Sequence, residues 1–165
     1  MDEIKLNRWE RKLATALGKA KAQWCRDNQA QSTMPVAQRE AAQINGYARE
    51  LAVAKLLNLY PSFSDEPDRW DLVLPCGRKL DVKGSDDYNG NLLLAAHSKS
   101  EADVYVLCNG VPDDHFEIWG WVFRERMLRD WWTHVPEPCY GVLKCQLEPT
   151  MRALLYMRPE ETVVV

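Results

Sequence analysis

Residues 71 to 83 read Asp71-Leu-Val-Leu-Pro-Cys-Gly-Arg-Lys-Leu-Asp81-Val-Lys83, two short extended runs on either side of a turn. Pro75 suits the first central position of a type I turn, and Gly77 suits the left-handed residue after it, so the two predict a three-residue loop. That loop places Asp71 opposite Asp81. A two-residue loop would instead turn Asp71 away from Asp81. The turn residues favour the first arrangement, in which two carboxylates meet.

Asp81 and Lys83 project from the same face of their strand because side chains alternate, while Leu80 and Val82 project from the other face into a core. Two carboxylates directly across a strand pair repel each other, so stability does not explain Asp71 opposite Asp81. A divalent cation removes the repulsion, and Mg²⁺ is usually held by one or two carboxylates with water and substrate phosphate. Lys83 is then placed to orient a water or to neutralise charge on an attacked phosphate.

A third carboxylate can come from the helix that we predict for residues 36 to 59, which Pro61 is expected to end. Glu50 lies on a largely apolar face of this helix, where a carboxylate needs a partner or a metal. An ordinary Glu at the boundary of the core is an equal alternative for this residue taken alone. Gly46, one turn earlier, is unfavourable in a helix interior by about 1 kcal/mol, which predicts that something packs closely there.

These residues resemble the motif of a known family. Asp71, nine further residues and then Asp81-Val82-Lys83 are similar to the PD-(D/E)xK nuclease superfamily, and Gly46-xxx-Glu50 is similar to its upstream helical Glu. The resemblance covers about residues 40 to 110. It implies a restriction-endonuclease-like αβββαβ core, with a mixed central sheet flanked by helices.

The resemblance also implies roles for individual residues. Glu50, Asp71 and Asp81 would bind Mg²⁺, for which Mn²⁺ is expected to substitute, and the Val82 carbonyl would be a further ligand. Lys83 would be catalytic. Glu50, Asp71, Asp81 and Lys83 together form the predicted catalytic set.

Two features depart from the superfamily pattern. Trp70 stands where the family has a Pro before its first Asp, and Asp68, which follows Pro67, is therefore a rival for the place of Asp71. The Gln-containing helix motif of the RecB-like and phage exonuclease branches is absent after the core, which argues against a processive exonuclease.

The length of 165 residues, with 46% apolar side chains, predicts a single α/β domain. We divide residues 1–165 into an N-terminal helix (1–35), a nuclease-like core (36–110) and a C-terminal α+β elaboration (111–165). The local patterns predict a helix at 3–28, a third meander strand in LLLAA (92–96), one or two helical turns at 98–102, strands at 103–108 and 115–122, a helix from 123 to about 132 and a weak strand at 141–145.

Composition excludes several classes of protein. The net charge of −3 rules out a polybasic nucleic-acid binder, and no apolar run approaches the roughly 18 residues of a membrane span. Five cysteines, an odd number at irregular spacing, indicate free thiols in a reducing compartment. The charged N-terminus is unlike a secretory signal, so we predict a cytoplasmic protein without membrane contact.

Other candidate sites carry weaker signals. Ser98 and Lys99 precede a core strand, where they could contact a substrate phosphate, although a solvated Lys is the simpler interpretation. The acidic loop at Asp86 and Asp87 is either a solvated turn or part of a lid. The three histidines form no triad, and His134 with Cys139 and Cys145 is a poor zinc pattern.

The Trp-rich C-terminal region is expected to serve packing. Trp119 and Trp121 are predicted on one face of their strand, and a core or a homodimer contact is favoured over stacking on bases. The apolar side chains predicted on the other face are Phe116, Ile118 and Val122.

The sequence thus predicts a Mg²⁺-dependent nuclease that hydrolyses phosphodiester bonds with a metal-activated water. DNA is the expected substrate and endonucleolytic cleavage the expected mode, while duplex, single-stranded and branched DNA and RNA all stay open. The alternative is a non-catalytic module on the same scaffold that binds nucleic acid or protein. A helical interaction protein that uses residues 3 to 30 and the Trp-rich region is a third possibility.

Overall fold

A computed structural model describes residues 1–28, 35–59, 70–85, 90–111, 115–134 and 138–158. Pro61, Asp68, Asp86 and Asp87 lie outside these ranges. The elements in chain order are β1 (Asp2–Lys5), α1 (Arg8–Asp27), α2 (Val36–Leu57), β2 (Leu72–Val73), β3 (Lys79–Lys83), β4 (Leu92–Ala95), β5 (Val104–Val111), β6 (His115–Phe123), α3 (Arg124–Met127), β7 (Trp131–Trp132), β8 (Cys139–Val142) and two 3₁₀ helices, Lys144–Gln146 and Met151–Tyr156.

The hairpin of β2 and β3 has the register that its turn residues predict. Leu74 donates its N–H to the Arg78 carbonyl over 2.9 Å, and the Gly77 N–H closes the turn on the Leu74 carbonyl over 2.8 Å. Gly77 has a φ of 86°, the left-handed conformation that suits glycine. Leu72 pairs with Leu80 and Val73 with Lys79, which is the register in which Asp71 is expected opposite Asp81. The three-residue loop is therefore confirmed.

The main sheet is mixed, as predicted, and contains five strands in the order β1-β6-β5-β3-β2. β3 and β5 run parallel, with Asp81 beside Tyr105 and Lys83 beside Leu107, and the other neighbouring pairs are antiparallel. The chain is thus a mixed α/β protein. Helix α2 packs on one face of this sheet, where Leu80, Val104 and Val106 join the larger hydrophobic core.

The N-terminal segment differs from the single helix predicted for residues 3 to 28. Residues Asp2–Lys5 form β1, which pairs with the edge of β6. Asn7 then begins α1 with a capping box, because its side chain accepts hydrogen bonds from the Trp9 and Glu10 N–H groups and Glu10 accepts from the Asn7 N–H. The apolar spacing across residues 4 to 9 concealed this cap.

Helix α2 agrees with its predicted range except at its end. Asn58 adopts the left-handed conformation with a φ of 51° and caps the helix, so the helix ends before Pro61 is reached. Gly46 does not mark a close approach within the described ranges, since none of their atoms outside the helix backbone lies within 4 Å of a Cβ built there. The close approach is at Gly18 of α1, where a Cβ would lie 2.5 Å from the Ile44 backbone.

A second, three-stranded sheet covers the opposite face of the main sheet and corrects the predicted core. β4 pairs with β8 rather than with β3, so LLLAA is not the third strand of a meander in the main sheet. Residues 96 to 103 contain no helix, and the predicted turns at 98–102 are wrong. The helix predicted from 123 to 132 is too long, since the structure forms only α3 in this range. Its last two residues, Trp131 and Trp132, instead form β7 and pair with Tyr140 and Cys139.

A β-bulge in β6 separates the two tryptophans that we expected on one face. The register shifts between Leu107 and Cys108, and Gly120, with a φ of 149°, allows its strand to approach Glu148. Trp121 consequently joins the larger core with Ile118, while Trp119 packs against the smaller one. Both tryptophans contribute to packing, although on opposite faces.

Two further observations concern the whole described chain. All five cysteines are free thiols. None of the helices within the described ranges is long and apolar enough to cross a lipid bilayer.

Candidate functional site

The candidate site lies where β3 ends and is built from three separate elements. Asp81 and Lys83 come from β3, Asp71 immediately precedes β2, and Glu50 comes from α2. β3 and β5 run parallel, so the site is at the carboxyl ends of parallel strands. Ligand sites of α/β sheets commonly lie at such ends, because side chains there project beyond the last paired residues.

Asp71 is fixed by main-chain hydrogen bonds to β3. Its N–H donates to the Leu80 carbonyl over 2.8 Å, and its Oδ2 accepts from the Val82 N–H over 2.6 Å. The carboxylate thus takes the place that a main-chain carbonyl would hold in a regular ladder. This bond holds Asp71 beside the half of β3 that carries Asp81 and Lys83.

The pKa of Asp71 shows that the three carboxylates act on one another. Burial raises the pKa of Asp71 well above its usual value, and the negative charges of Glu50 and Asp81 raise it further. The hydrogen bond from Val82 and the positive charge of Lys83 act in the opposite direction. Glu50, Asp81 and Lys83 are therefore near enough to Asp71 for their charges to act on it.

Asp81 and Lys83 form the most direct contact in the site. Asp81 is buried, with 5% of its surface exposed, and the Lys83 Nζ lies 2.8 Å from its Oδ2. The Lys83 side chain is one-third exposed. A buried carboxylate thus holds an ammonium group that still reaches solvent.

The donor chemistry of the site suits a divalent cation such as Mg²⁺, but in the part of the chain that the structure describes the placement of the donors does not form a metal site. Carboxylate oxygens are hard ligands, and an ion among them would relieve the repulsion that raises the pKa of Asp71. Within the described ranges, however, no three His, Cys, Asp or Glu side chains are grouped so that they could hold a metal.

Ser98 and Lys99 are placed away from these four residues. They follow β4 in a turn where Ser98 donates its N–H to Ala95 and accepts one from Ser100. The segment then leads into β5, and just before that strand the Asp103 Oδ2 accepts the N–H of Lys79, the first residue of β3, over 2.8 Å. The site is toward the other end of that strand.

Arg49 is a neighbour of the site that the sequence analysis missed. Its side chain lies across Gly84, so that a Cβ at Gly84 would come within 2.7 Å of the Arg49 Cζ. The guanidinium also acts on Cys108, whose pKa burial raises to about 12 and whose thiolate the positive charge of Arg49 favours. Arg49 thus ties α2, next to Glu50, to the ends of β3 and β5.

Asn109 is a second residue that was missed. It is almost fully buried at the carboxyl-end half of β5, and its Oδ1 accepts the Ser85 N–H over 3.1 Å. This bond fixes the chain as it leaves β3. A polar residue directly after the apolar run Val104 to Cys108 was the available signal, because such residues frequently follow parallel strands at ligand sites.

Comparison with known proteins adds no assignment to this geometry. No protein-family model matches the chain, and no curated protein matches it significantly.

Proposed function

We propose that the protein is a Mg²⁺-dependent nuclease that hydrolyses phosphodiester bonds. The observation that carries the proposal is the contact geometry of the hairpin, in which the Asp71 carboxylate accepts the Val82 N–H and the Lys83 Nζ lies 2.8 Å from the Asp81 Oδ2. The negative charges of Glu50 and Asp81, which raise the pKa of Asp71, support it. Repulsion between carboxylates lowers the stability of the fold, and a role in cation binding would explain why they lie close together. Mn²⁺ is expected to substitute for Mg²⁺.

Each side chain has a separate role in the proposed reaction. Glu50, Asp71 and Asp81 hold the cation, with the Val82 carbonyl as a further ligand. When bound, Mg²⁺ would lower the pKa of a water molecule and polarise the phosphodiester. Lys83, whose Nζ lies beside the Asp81 carboxylate, would orient the attacking water and stabilise the charge that develops on the phosphate.

A restriction-endonuclease-like core is part of the same proposal. It is supported by the order α2, β2, β3, β5, by the antiparallel hairpin and by the parallel pairing of β3 with β5. β4 and the helix-free stretch of residues 96 to 103 depart from that core. The site nevertheless depends only on the elements that agree.

DNA is the proposed substrate, cleaved internally. The net charge of −3 means that affinity must come from the cation and a few local basic groups. Binding is therefore expected to weaken as salt rises. Ser98 and Lys99 lie toward the other end of β3, so a phosphate that they contact would lie outside the cleavage site. A homodimer through the Trp-rich region and a cytoplasmic location complete the proposal, and Trp131, 46% exposed, is the residue available for the dimer contact.

A cleavage assay tests the proposal. Supercoiled plasmid, single-stranded DNA, branched DNA and RNA are incubated with the full chain in Mg²⁺, in Mn²⁺ and in EDTA. We expect cleavage of at least one substrate with either metal, and none with EDTA or with Lys83→Ala. Cleavage that persists in EDTA, or that Lys83→Ala retains, would refute the assignment.

A non-catalytic binding module on the same scaffold is the second candidate. It is supported by the closed contact of Lys83 with Asp81 and by the finding that no three potential ligands are grouped within the described ranges. In that case Lys83, and not a metal ion, neutralises the charge of the Asp81 carboxylate. Such a protein would bind DNA or a partner protein equally well in Mg²⁺ and EDTA, and would cleave no substrate.

A further inference from the structure

Helix α1 places its small residues inside and its large apolar residues outside. Ala14, Gly18 and Ala22 are its buried residues. Gly18 packs directly on the Ile44 backbone of α2. A surface helix normally shows the opposite pattern, with its large apolar side chains toward the core. The close packing of α1 on α2 therefore leaves its bulky side chains on the surface.

The exposed side chains form one continuous strip, which we call the outer face of α1. Trp9 is 71% exposed, Leu13 42% and Trp24 39%. Ala16 and Ala20 are exposed between them. The spacings of four, three and four residues from Trp9 to Ala20 match the seam of a helix pair, and Trp24 lies one residue beyond the next seam position. The two tryptophans are about 22 Å apart along the axis. The alanines leave a hollow between bulky ends.

Basic residues border this face. Residues 8 to 27 include six Lys and Arg and only two Asp and Glu, whereas the whole chain has a net charge of −3. Lys12, Lys19 and Arg26 recur every seven residues along one edge, the position from which coiled-coil helices choose their partners by charge. Lys12 and Lys21 lie over the rings of Trp9 and Trp24, 4.7 Å and 5.2 Å from the ring centroids. The face is apolar with cationic margins.

We propose that the outer face of α1 docks an acidic amphipathic helix of a partner protein. Acidic residues beside the partner's seam would pair with Lys12 and Lys19, and its larger apolar side chains would fill the hollow over Ala16 and Ala20. Arg26 is already paired with Glu40 of α2. A second copy of the chain would bring two basic helices together. A bilayer surface cannot project side chains into a hollow.

The test uses two designed peptides of about 21 residues with Leu at the seam positions. One has Glu at the flanking positions and the other has Lys. Each is labelled and titrated with the full chain while fluorescence anisotropy is recorded. We expect the Glu peptide to bind with a Kd in the micromolar range and the Lys peptide to show no binding up to about 1 mM.

Charge reversal sharpens the test. The double variant Lys12→Glu with Lys19→Glu is expected to raise the Kd for the Glu peptide by about tenfold or more. The same variant should bind the Lys peptide instead. The charge-matched control Arg129→Glu with Arg152→Glu changes exposed cations on other elements and is expected to bind as wild type. Trp24→Ala is expected to weaken binding of the Glu peptide to wild type and of the Lys peptide to the charge-reversed variant. Circular dichroism checks that each variant is folded.

Four outcomes would overturn the proposal. They are failure of the Glu peptide to bind wild type, binding that charge reversal leaves unchanged, a concentration-dependent dimer that Trp24→Ala abolishes, and stronger binding of the same face to phosphatidylglycerol vesicles than to the peptide. None of these outcomes depends on nuclease activity.

Discussion

The Asp71 carboxylate accepts a hydrogen bond of 2.6 Å from the Val82 main-chain N–H. Val82 lies between Asp81 and Lys83, so this one bond fixes the beginning of the hairpin against the two residues that would carry the chemistry. Because Asp71 is also buried near two other carboxylates, its position costs free energy when it is ionised. The placement of Asp71 near two other carboxylates is thus the reason both for its unfavourable ionisation and for the proposed cation site.

Asp71→Asn is expected to stabilise the metal-free protein at neutral pH. Because folding raises the pKa of Asp71, its contribution favours folding fully below the ordinary carboxyl pKa of about 3.9 and is lost as pH rises through the raised pKa. Asn keeps an oxygen for the Val82 N–H and carries no charge. The gain should be about 1.4 kcal/mol for each unit by which the pKa is raised.

Thermal unfolding in EDTA from about pH 4 to pH 8 measures this effect. The difference in Tm between Asp71→Asn and wild type should grow with pH and shrink toward the acid end. Asp103→Asn is the matched control, since Asp103 also accepts a main-chain hydrogen bond, from Lys79. A wild type that equals or exceeds Asp71→Asn in stability at neutral pH would contradict the prediction.

Lys83→Ala is expected to lower the rate of Mg²⁺-dependent cleavage by about 10³-fold, because it removes a charge that stabilises the transition state. The free energy of unfolding should fall by about 1–3 kcal/mol, because the variant leaves the buried Asp81 carboxylate without this partner. Lys79→Ala is the control on the same strand, with a lysine of similar exposure whose Nζ lies 3.7 Å from the Trp70 ring centroid. Equal rates for the two variants would exclude Lys83 from the reaction.

Gly46→Ala and Gly18→Ala should change stability in opposite directions. Among the residues that the structure describes, none from another element lies within 4 Å of a Cβ at Gly46, so alanine should raise the free energy of unfolding by about 0.5–1 kcal/mol through its better helix propensity. A Cβ at Gly18 would collide with the Ile44 backbone and should cost about 1–3 kcal/mol. Urea unfolding of both variants decides this, and a destabilised Gly46→Ala would show that α2 is packed differently.

Cysteine labelling should separate two thiols. Burial raises the pKa of Cys108 to about 12, whereas Cys145 is exposed. In the native protein at neutral pH, a maleimide reagent should modify Cys145 within minutes and leave Cys108 unmodified until the protein is denatured. Mass spectrometry of peptides from the labelled chain identifies the modified residue, and early modification of Cys108 would contradict its burial.

The hairpin could be predicted because its information is local. Pro75 and Gly77 determine the loop, and the loop determines that Asp71 faces Asp81. Helix α2 could be predicted for the same reason, from its periodicity and the absence of helix breakers. These two elements carry all four residues of the predicted catalytic set. The local sequence was therefore enough to predict the elements that position them.

The pairing of distant strands could not be predicted. LLLAA has the alternation of any strand, and nothing in its own residues selects Cys139–Val142 as its partner over β3. The bulge at Gly120 depends on the approach of Glu148, 28 residues later, so the face of Trp119 is not a local property either. Arg49 was missed for a related reason, because only the fold brings Gly84 beneath its side chain.

Calorimetric titration of the full chain with Mn²⁺ and Mg²⁺ is the most direct test of whether three carboxylates share an ion. Wild type is expected to bind one ion per chain, and Asp81→Asn is expected to lose that binding while it remains folded. Absence of binding heat in wild type with either metal, or an unchanged isotherm for Asp81→Asn, would contradict the account.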